Sequence, residues 1–151
     1  MFRMFDVSSS KNTICSCSGE CGITMHDLTN GATNLTSPGY PNDYPPDILC
    51  YWIISVDVDN HIIIRIITLI MENGYDFLTI GNGDEPSDVS AIIYITGATK
   101  LTALTSNSSR MWIEMTTDGV VNMDGFMVQL EQLSLDNSED NNTRGELLIS
   151  E

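Results

Sequence analysis

Two acidic residues flank a tyrosine at the point where an apolar stretch of the chain begins. In "MENGYDFLTIGNGDE", residues 71–85, Glu72 and Asp76 lie on either side of Tyr75, and Phe77 and Leu78 follow. A carboxylate at the mouth of a buried strand is either a solvated side chain or the ligand of a cation, because an unpaired charge is costly to bury. Calcium takes about six to eight oxygen ligands, mostly carboxylate and carbonyl. The residues alone leave both interpretations open.

A second acidic loop follows in "GNGDEPSD", which contains Asp84, Glu85 and Asp88. The spacing of these acids does not match the EF-hand pattern of calcium ligands. A separate ion site in this loop is therefore the weaker hypothesis. The alternative is that the loop forms an acidic rim that attracts cations.

Three of the four cysteines crowd into "CSCSGEC", namely Cys15, Cys17 and Cys21, while Cys50 stands alone. With His26 the first three form a conceivable zinc set, but the spacing fits no familiar zinc finger. A thiol pair or a linker disulfide is the preferred interpretation of Cys15 and Cys17. The chain also has no G-x-S-x-G, no H-E-x-x-H and no phosphate-binding loop, so we expect no enzyme.

The charge of the chain restricts its partners. There are 21 acidic residues against 6 lysines and arginines, a net charge of −15. Nucleic acid and anionic membrane surfaces are disfavoured, because both demand basic side chains, and cations or basic protein patches are favoured. The longest apolar run, "HIIIRIITLI" at 61–70, is too short to span a bilayer. The first residues, "MFRMFDVSSSKN", lack the apolar segment and cleavage site of a signal peptide.

Apolar runs alternate with turn-rich breaks from Cys21 to about Leu133, without a helical period. Short strands at such spacing predict an all-β domain, a two-sheet antiparallel β-sandwich. The predicted strands lie near 51–57, 61–70, 76–80, 91–95, 110–116 and 125–131. We interpret residues 1–20 as a polar arm, 21–133 as the domain, and 134–151 as an acidic disordered tail.

Alternating side chains indicate which residues form the core. In "MWIEMTT", 111–117, Trp112 and Glu114 share one face while Met111, Ile113 and Met115 share the other. This alternation is typical of a half-buried antiparallel sheet. The positions expected to be mostly buried are Trp52, Ile62, Ile64, Ile66, Leu78, Ile80, Trp112 and Phe126. Both tryptophans are interpreted as core residues rather than ligand-stacking residues.

Six segments, in order along the chain, resemble the CUB domain, an extracellular β-sandwich module with a jelly-roll-like fold. They are "CG" at 21–22, "SPGYPNDYP" at 37–45, "CYWII" at 50–54, "ENGYDFLTIGNG" at 72–83, "SSRMWIEMTTD" at 108–118 and "GFMVQL" at 125–130. The resemblance implies one disulfide, Cys21 to Cys50, worth roughly 3–4 kcal/mol by loop closure. Many CUB domains have a second bridge, but no cysteine follows Cys50 here.

The resemblance also implies a calcium site, because many CUB domains bind one ion through a tyrosine, a glutamate and two aspartates. These match Tyr44 in "NDYPP", Glu72, Asp76 and Asp118 in "TTDG". We interpret Tyr44 as a packing residue whose hydroxyl supports the site. The Asn122 side chain, nearby backbone carbonyls and water would complete the oxygen shell.

One departure concerns the loop that carries the glutamate. The family usually places more residues between this glutamate and the Tyr-Asp pair, whereas here only Asn73 and Gly74 lie between Glu72 and Tyr75. Glu72 is thus carried on a shorter loop than the family pattern has.

The resemblance implies a non-enzymatic, extracellular or cell-surface module that binds a protein with a basic patch, often through lysine, in a calcium-dependent manner. A carbohydrate-binding module and a non-catalytic appendage of a larger secreted protease are the alternatives. Sequons at Asn34, Asn107 and Asn141 mark candidate glycosylation sites. Together with the even cysteine count they favour an oxidising compartment.

Overall fold

The structure, a computed structural model, describes residues 21, 23–28, 31–86 and 90–134. The regular elements of these residues are all strands: β1 (Ile23–Asp27), β2 (Thr33–Thr36), β3 (Leu49–Ser55), β4 (His61–Ile70), β5 (Phe77–Asn82), β6 (Ala91–Ile95), β7 (Ala103–Thr105), β8 (Arg110–Thr116) and β9 (Gly125–Leu133). In this part of the chain no helix has the length and apolarity to cross a bilayer. The predicted arm (1–20), the acidic tail after residue 134, and Cys15, Cys17 and Asp88 lie outside the described residues.

The strands form two sheets whose inner faces pack together, so the predicted β-sandwich is confirmed. One sheet has five strands in the order β1-β3-β8-β5-β6, and the other has four in the order β2-β9-β4-β7. Neighbours are antiparallel except β1 and β3, which are parallel. Strands β1, β2 and β7, which are short or polar, were not predicted from the sequence.

The alternation of side chains that face the core shifts halfway along β4, because one extra residue is inserted into its pairing with β9. Ile66 pairs with Val128 and Thr68 with Met127, which leaves Ile67 as the extra residue. A bulge of this kind reverses the alternation of side chains beyond it. Ile62 and Ile64 are accordingly buried before the bulge and Leu69 after it, while Ile67 is 54% exposed.

The core contains most of the residues predicted for it. Trp52 packs edge-on against Phe126, with ring centroids 5.6 Å apart. Ile62, Ile64, Leu78, Ile80 and Phe126 are fully buried, and Ile66 is partly buried against them. Trp112 is also buried, as predicted, with 2% of its surface exposed, but it lies outside the main cluster of core side chains.

Trp112 lies on the outer face of the five-stranded sheet. Met111, Ile113 and Met115 face inward from β8, so Trp112 faces outward as the alternation requires. Its indole covers Gly81 on the neighbouring strand, where any Cβ would overlap the ring. The ring nitrogen donates a hydrogen bond to Ser90 Oγ at 3.0 Å.

The Cys21–Cys50 disulfide is present and ties the start of β1 to β3. Cys50 is fully buried. Because Cys21 is bonded to Cys50, the four-residue zinc set with Cys15, Cys17 and His26 is wrong.

Candidate functional site

Three carboxylates converge at one edge of the sandwich. Glu72, Asp76 and Asp118 each place an oxygen within 4.8 Å of the others. The sheet explains this convergence, since Phe77 at the start of β5 pairs with Thr116 at the end of β8. In an antiparallel pair the segment before one strand and the segment after the other lie side by side, so Asp76 comes next to Thr117 and Asp118. Asp118 thereby donates its backbone N–H to the Asp76 side chain, although the two residues are 42 positions apart in the sequence.

The short turn before β5 does bring Glu72 to this edge. Gly74 adopts a φ of +83°, which favours glycine. The Gly74 N–H donates to Thr96 Oγ1 at 2.7 Å, and that hydroxyl donates to the Glu72 carbonyl at 3.0 Å. The Asp76 N–H donates to the same carbonyl at 3.2 Å. Hydrogen bonds with Thr96 and with the Asp76 N–H therefore close the turn. The two residues between Glu72 and Tyr75 are enough to bring Glu72 to the same edge as Asp76.

Asp76 is the buried centre of the site. Its side chain has no exposed surface. Oδ1 accepts a hydrogen bond from the Asp118 N–H at 2.8 Å, and Oδ2 accepts one from the Tyr44 hydroxyl at 2.5 Å. Neutral donors alone therefore hold this carboxylate among the described residues, which contain no ion pair to it.

Tyr44 links the loops of the site through hydrogen bonds. It is 1% exposed, and its hydroxyl accepts a hydrogen bond from the Glu72 N–H at 3.0 Å while donating to Asp76. Burial, and then the hydrogen bond to Asp76, raise the pKa of Tyr44 well above its ordinary value, so the phenol stays neutral. The Tyr44 N–H donates to the Met123 carbonyl at 3.0 Å. These contacts fit the supporting role expected of Tyr44.

Two shielded oxygen atoms have no hydrogen-bond partner among the described residues. Glu72 Oε2 belongs to the carboxylate cluster, and Asn122 Oδ1 lies on the loop that carries Asp118. Loss of solvent, and then the charges of Asp118 and Asp76, raise the pKa of Glu72. Shielded acceptors without donors are unfavourable, and calcium held by the three carboxylates would satisfy Glu72 Oε2. The oxygen-only donor set fits a hard cation.

Asp118 is fixed by its own loop. Oδ1 accepts the Val120 N–H at 3.0 Å, and the Asp118 carbonyl accepts the Asp47 N–H at 3.0 Å. Asn122, which was expected to contribute its side chain, lies further along the same loop. Thr96 was missed from the sequence: a single threonine before a turn carries no signal that it will brace a loop distant along the chain.

The second acidic loop stays apart from this cluster. Asp84 forms an ion pair with Arg110 at 2.6 Å, and both side chains are about half exposed. Asp84 and Glu85 follow the end of β5, whereas Asp76 precedes its start. The described acids of this loop therefore belong to the opposite end of the strand.

Two of the three sequons lie in described segments. Asn34 is exposed on β2, an edge strand of the four-stranded sheet, and Asn107 is exposed in the turn between β7 and β8. Asn141 lies outside the described residues.

Comparison with known proteins identifies the same fold and family. A family model described as the CUB domain matches residues 21–130. Mouse Tolloid-like protein 2 is 32% identical over 130 residues, covering 83% of this chain and 12% of that protein. Bone morphogenetic protein 1 of Xenopus laevis is 30% identical over 105 residues, covering 66% of this chain and 15% of that protein. The chain thus spans a small part of these relatives.

Solved structures share the fold at lower identity. The CUB1-EGF-CUB2 region of human MASP-1/3 superimposes with a TM-score of 0.64 at 16% identity, over 75% of this chain and 42% of that one. The MASP-1 CUB2 domain bound to Ca²⁺ gives a TM-score of 0.60 at 19% identity, over 76% of this chain and 99% of that one.

Proposed function

Because the chain belongs to the CUB domain family, we propose that it is a non-catalytic extracellular binding module that holds calcium between Glu72, Asp76 and Asp118 and engages a protein partner there. The observation that carries the proposal is the convergence of three carboxylates, one of which has a shielded oxygen, Glu72 Oε2, without a donor. The solved CUB domain that binds Ca²⁺ supports it by fold.

The charge balance of the site suggests the partner. Three carboxylates around one divalent ion leave a net negative charge, because an ion of charge +2 does not neutralise three acids. Asp76 is buried, but Glu72 and Asp118 retain partial exposure. A lysine or arginine from a partner would therefore find a charge-assisted acceptor at the rim. The net charge of −15 would steer a basic partner towards the module.

The larger context is proposed from the relatives. The chain corresponds to 12% of mouse Tolloid-like protein 2, and this length suits one module appended to a longer secreted protein. The disulfide and the exposed sequons at Asn34 and Asn107 fit the same oxidising compartment. Catalysis would then belong to other parts of such a protein.

The test is a capture experiment with the immobilised domain in extracellular fluid. We expect a partner to be retained in calcium and released by chelator. Asp118→Asn should lose it, whereas Asp124→Asn, an exposed acid on the same loop, should keep it. Acetylation of the partner's lysines should abolish retention if lysine makes the contact. A partner retained equally in chelator and by Asp118→Asn would overturn the proposal.

A further inference from the structure

A separate pocket opens on the outer face of the five-stranded sheet. Its volume is about 410 Å³, within the usual size range of ligand sites. The residues that line it combine two aromatic rings, two apolar side chains and two acids: Tyr51, Trp112, Ile53, Pro86, Asp84 and Glu85. One wall is strand β3, the other is formed by residues 84–86 after β5, and Trp112 of β8 also lines the pocket.

The pocket is distant from the carboxylate cluster. Trp112 lies near the start of β8, and Asp118 follows its end. Six residues of extended chain separate them, which corresponds to roughly 20 Å. A ligand in this pocket would therefore not touch the proposed calcium site.

The aromatic walls are held in place. Trp112 is 2% exposed and is fixed by the hydrogen bond from its ring nitrogen to Ser90 Oγ. Tyr51 pairs across the strands with Glu114, and a hydrogen bond between their side chains raises the pKa of Tyr51 to about 12. The Tyr51 ring thus presents a fixed neutral surface.

The charges of the pocket select the class of ligand. Asp84 already pairs with Arg110, but the exposed Glu85 forms no ion pair with the described residues. An arginine side chain matches these surfaces, since its planar guanidinium can stack on the partly exposed Tyr51 ring and pair with the Glu85 carboxylate, whereas the buried Trp112 indole offers little surface for stacking. Its methylene stem would lie on Ile53 and Pro86, as long basic side chains commonly do on apolar surface. We propose that this pocket binds an arginine side chain of a partner protein, independently of calcium.

The test uses the full chain and a short blocked peptide with one arginine, compared with the same peptide carrying the uncharged isostere citrulline. The readout is the indole N–H resonance of Trp112 in a nitrogen-15 NMR spectrum. Trp52, the other tryptophan of the chain, lies in the core and serves as internal reference. We expect the arginine peptide to shift the Trp112 signal saturably, with no change on adding chelator, and the citrulline peptide to leave it in place.

Glu85→Gln should weaken the binding roughly two- to fivefold, as expected for a partly exposed charge pair. Glu131→Gln removes the same charge on β9 of the other sheet and should bind the peptide as the unmodified chain does. Equal shifts with citrulline, equal affinities of the two variants, or loss of binding in chelator would each overturn the proposal. Loss of binding in chelator would instead indicate that the arginine binds at the proposed calcium site.

Discussion

The hydroxyl of Tyr44 donates a hydrogen bond to Oδ2 of Asp76 over 2.5 Å, and both side chains are almost completely removed from solvent. The same hydroxyl accepts the N–H of Glu72. One oxygen atom therefore holds both the carboxylate of Asp76 and the backbone of Glu72. The geometry that we assign to calcium is held by the fold itself, which reduces the ordering that an ion would have to impose.

Tyr44→Phe tests this support. It leaves Asp76 and the Glu72 N–H each short of a buried partner, which should cost about 1–3 kcal/mol of unfolding free energy per group. Urea denaturation in chelator measures the loss without a contribution from the ion. Tyr75→Phe is the matched control, because Tyr75 is 64% exposed and its variant should lie within about 0.5 kcal/mol of the unmodified chain. Equal stability of the two variants would refute the supporting role.

Two isoleucines of β4 test the bulge. Ile64 is fully buried and Ile67 is 54% exposed. Ile64→Ala should cost about 2–5 kcal/mol through lost burial and a cavity, and Ile67→Ala should cost well under about 1 kcal/mol. Chemical denaturation of both variants is the measurement. Similar losses would show that Ile67 faces the core and that the inserted residue lies elsewhere.

The raised pKa of Glu72 sets the direction of a pH dependence. In the absence of calcium the folded chain binds this proton more readily than the unfolded chain, so stability falls as pH rises through the folded pKa and is recovered on acidification. Protons and calcium compete for the same carboxylate. The gain in melting temperature with calcium should therefore shrink as pH falls, beginning above the ordinary value of 4.5. A gain that declines only below that value would contradict the raised pKa.

The sequons give a prediction for expression in a eukaryotic secretory pathway. Asn34 and Asn107 are exposed, so both should carry N-linked glycan, visible as a mass lost on treatment with a glycosidase. Thr36→Ala should remove the glycan at Asn34 alone, because the sequon needs its hydroxyl residue. If Thr36→Ala loses the same glycan mass on glycosidase treatment as the unmodified chain, Asn34 is not modified.

The sequence predicted the strands whose patterns are long and apolar, such as β4, β8 and β9. It did not reveal β7, which has three residues, because so short a strand depends on its neighbours for stability. The alternation in β8 correctly separated Trp112 from Met111, Ile113 and Met115. It could not show that the outer face also buries a tryptophan, since this depends on the loop after β5 and on Gly81.

The carboxylate cluster was predicted by resemblance rather than by pattern. Asp76 and Asp118 meet through the β5–β8 register, which no local stretch of sequence encodes. The bond from Tyr44 to Asp76 joins residues 32 positions apart. The short Glu72 turn differed from the family pattern, and its closure depends on Thr96, a contact that only the fold provides.

Calcium titration of the melting temperature tests the central claim most directly. Asp118→Asn is the informative variant, because Asp118 accepts only a local bond from Val120 through its side chain. Asp76→Asn is less suitable, since both Asp76 oxygens accept hydrogen bonds and an amide would lose one of them. Asp124→Asn removes an exposed charge from the same loop and is the matched control.

An ion that binds only the folded chain should stabilise it by about 2.7 kcal/mol at a free concentration of about 100 times Kd. We expect this gain in the unmodified chain and in Asp124→Asn, and the loss of most of it in Asp118→Asn. A calcium response as large in Asp118→Asn as in the unmodified chain would contradict a calcium site at this cluster.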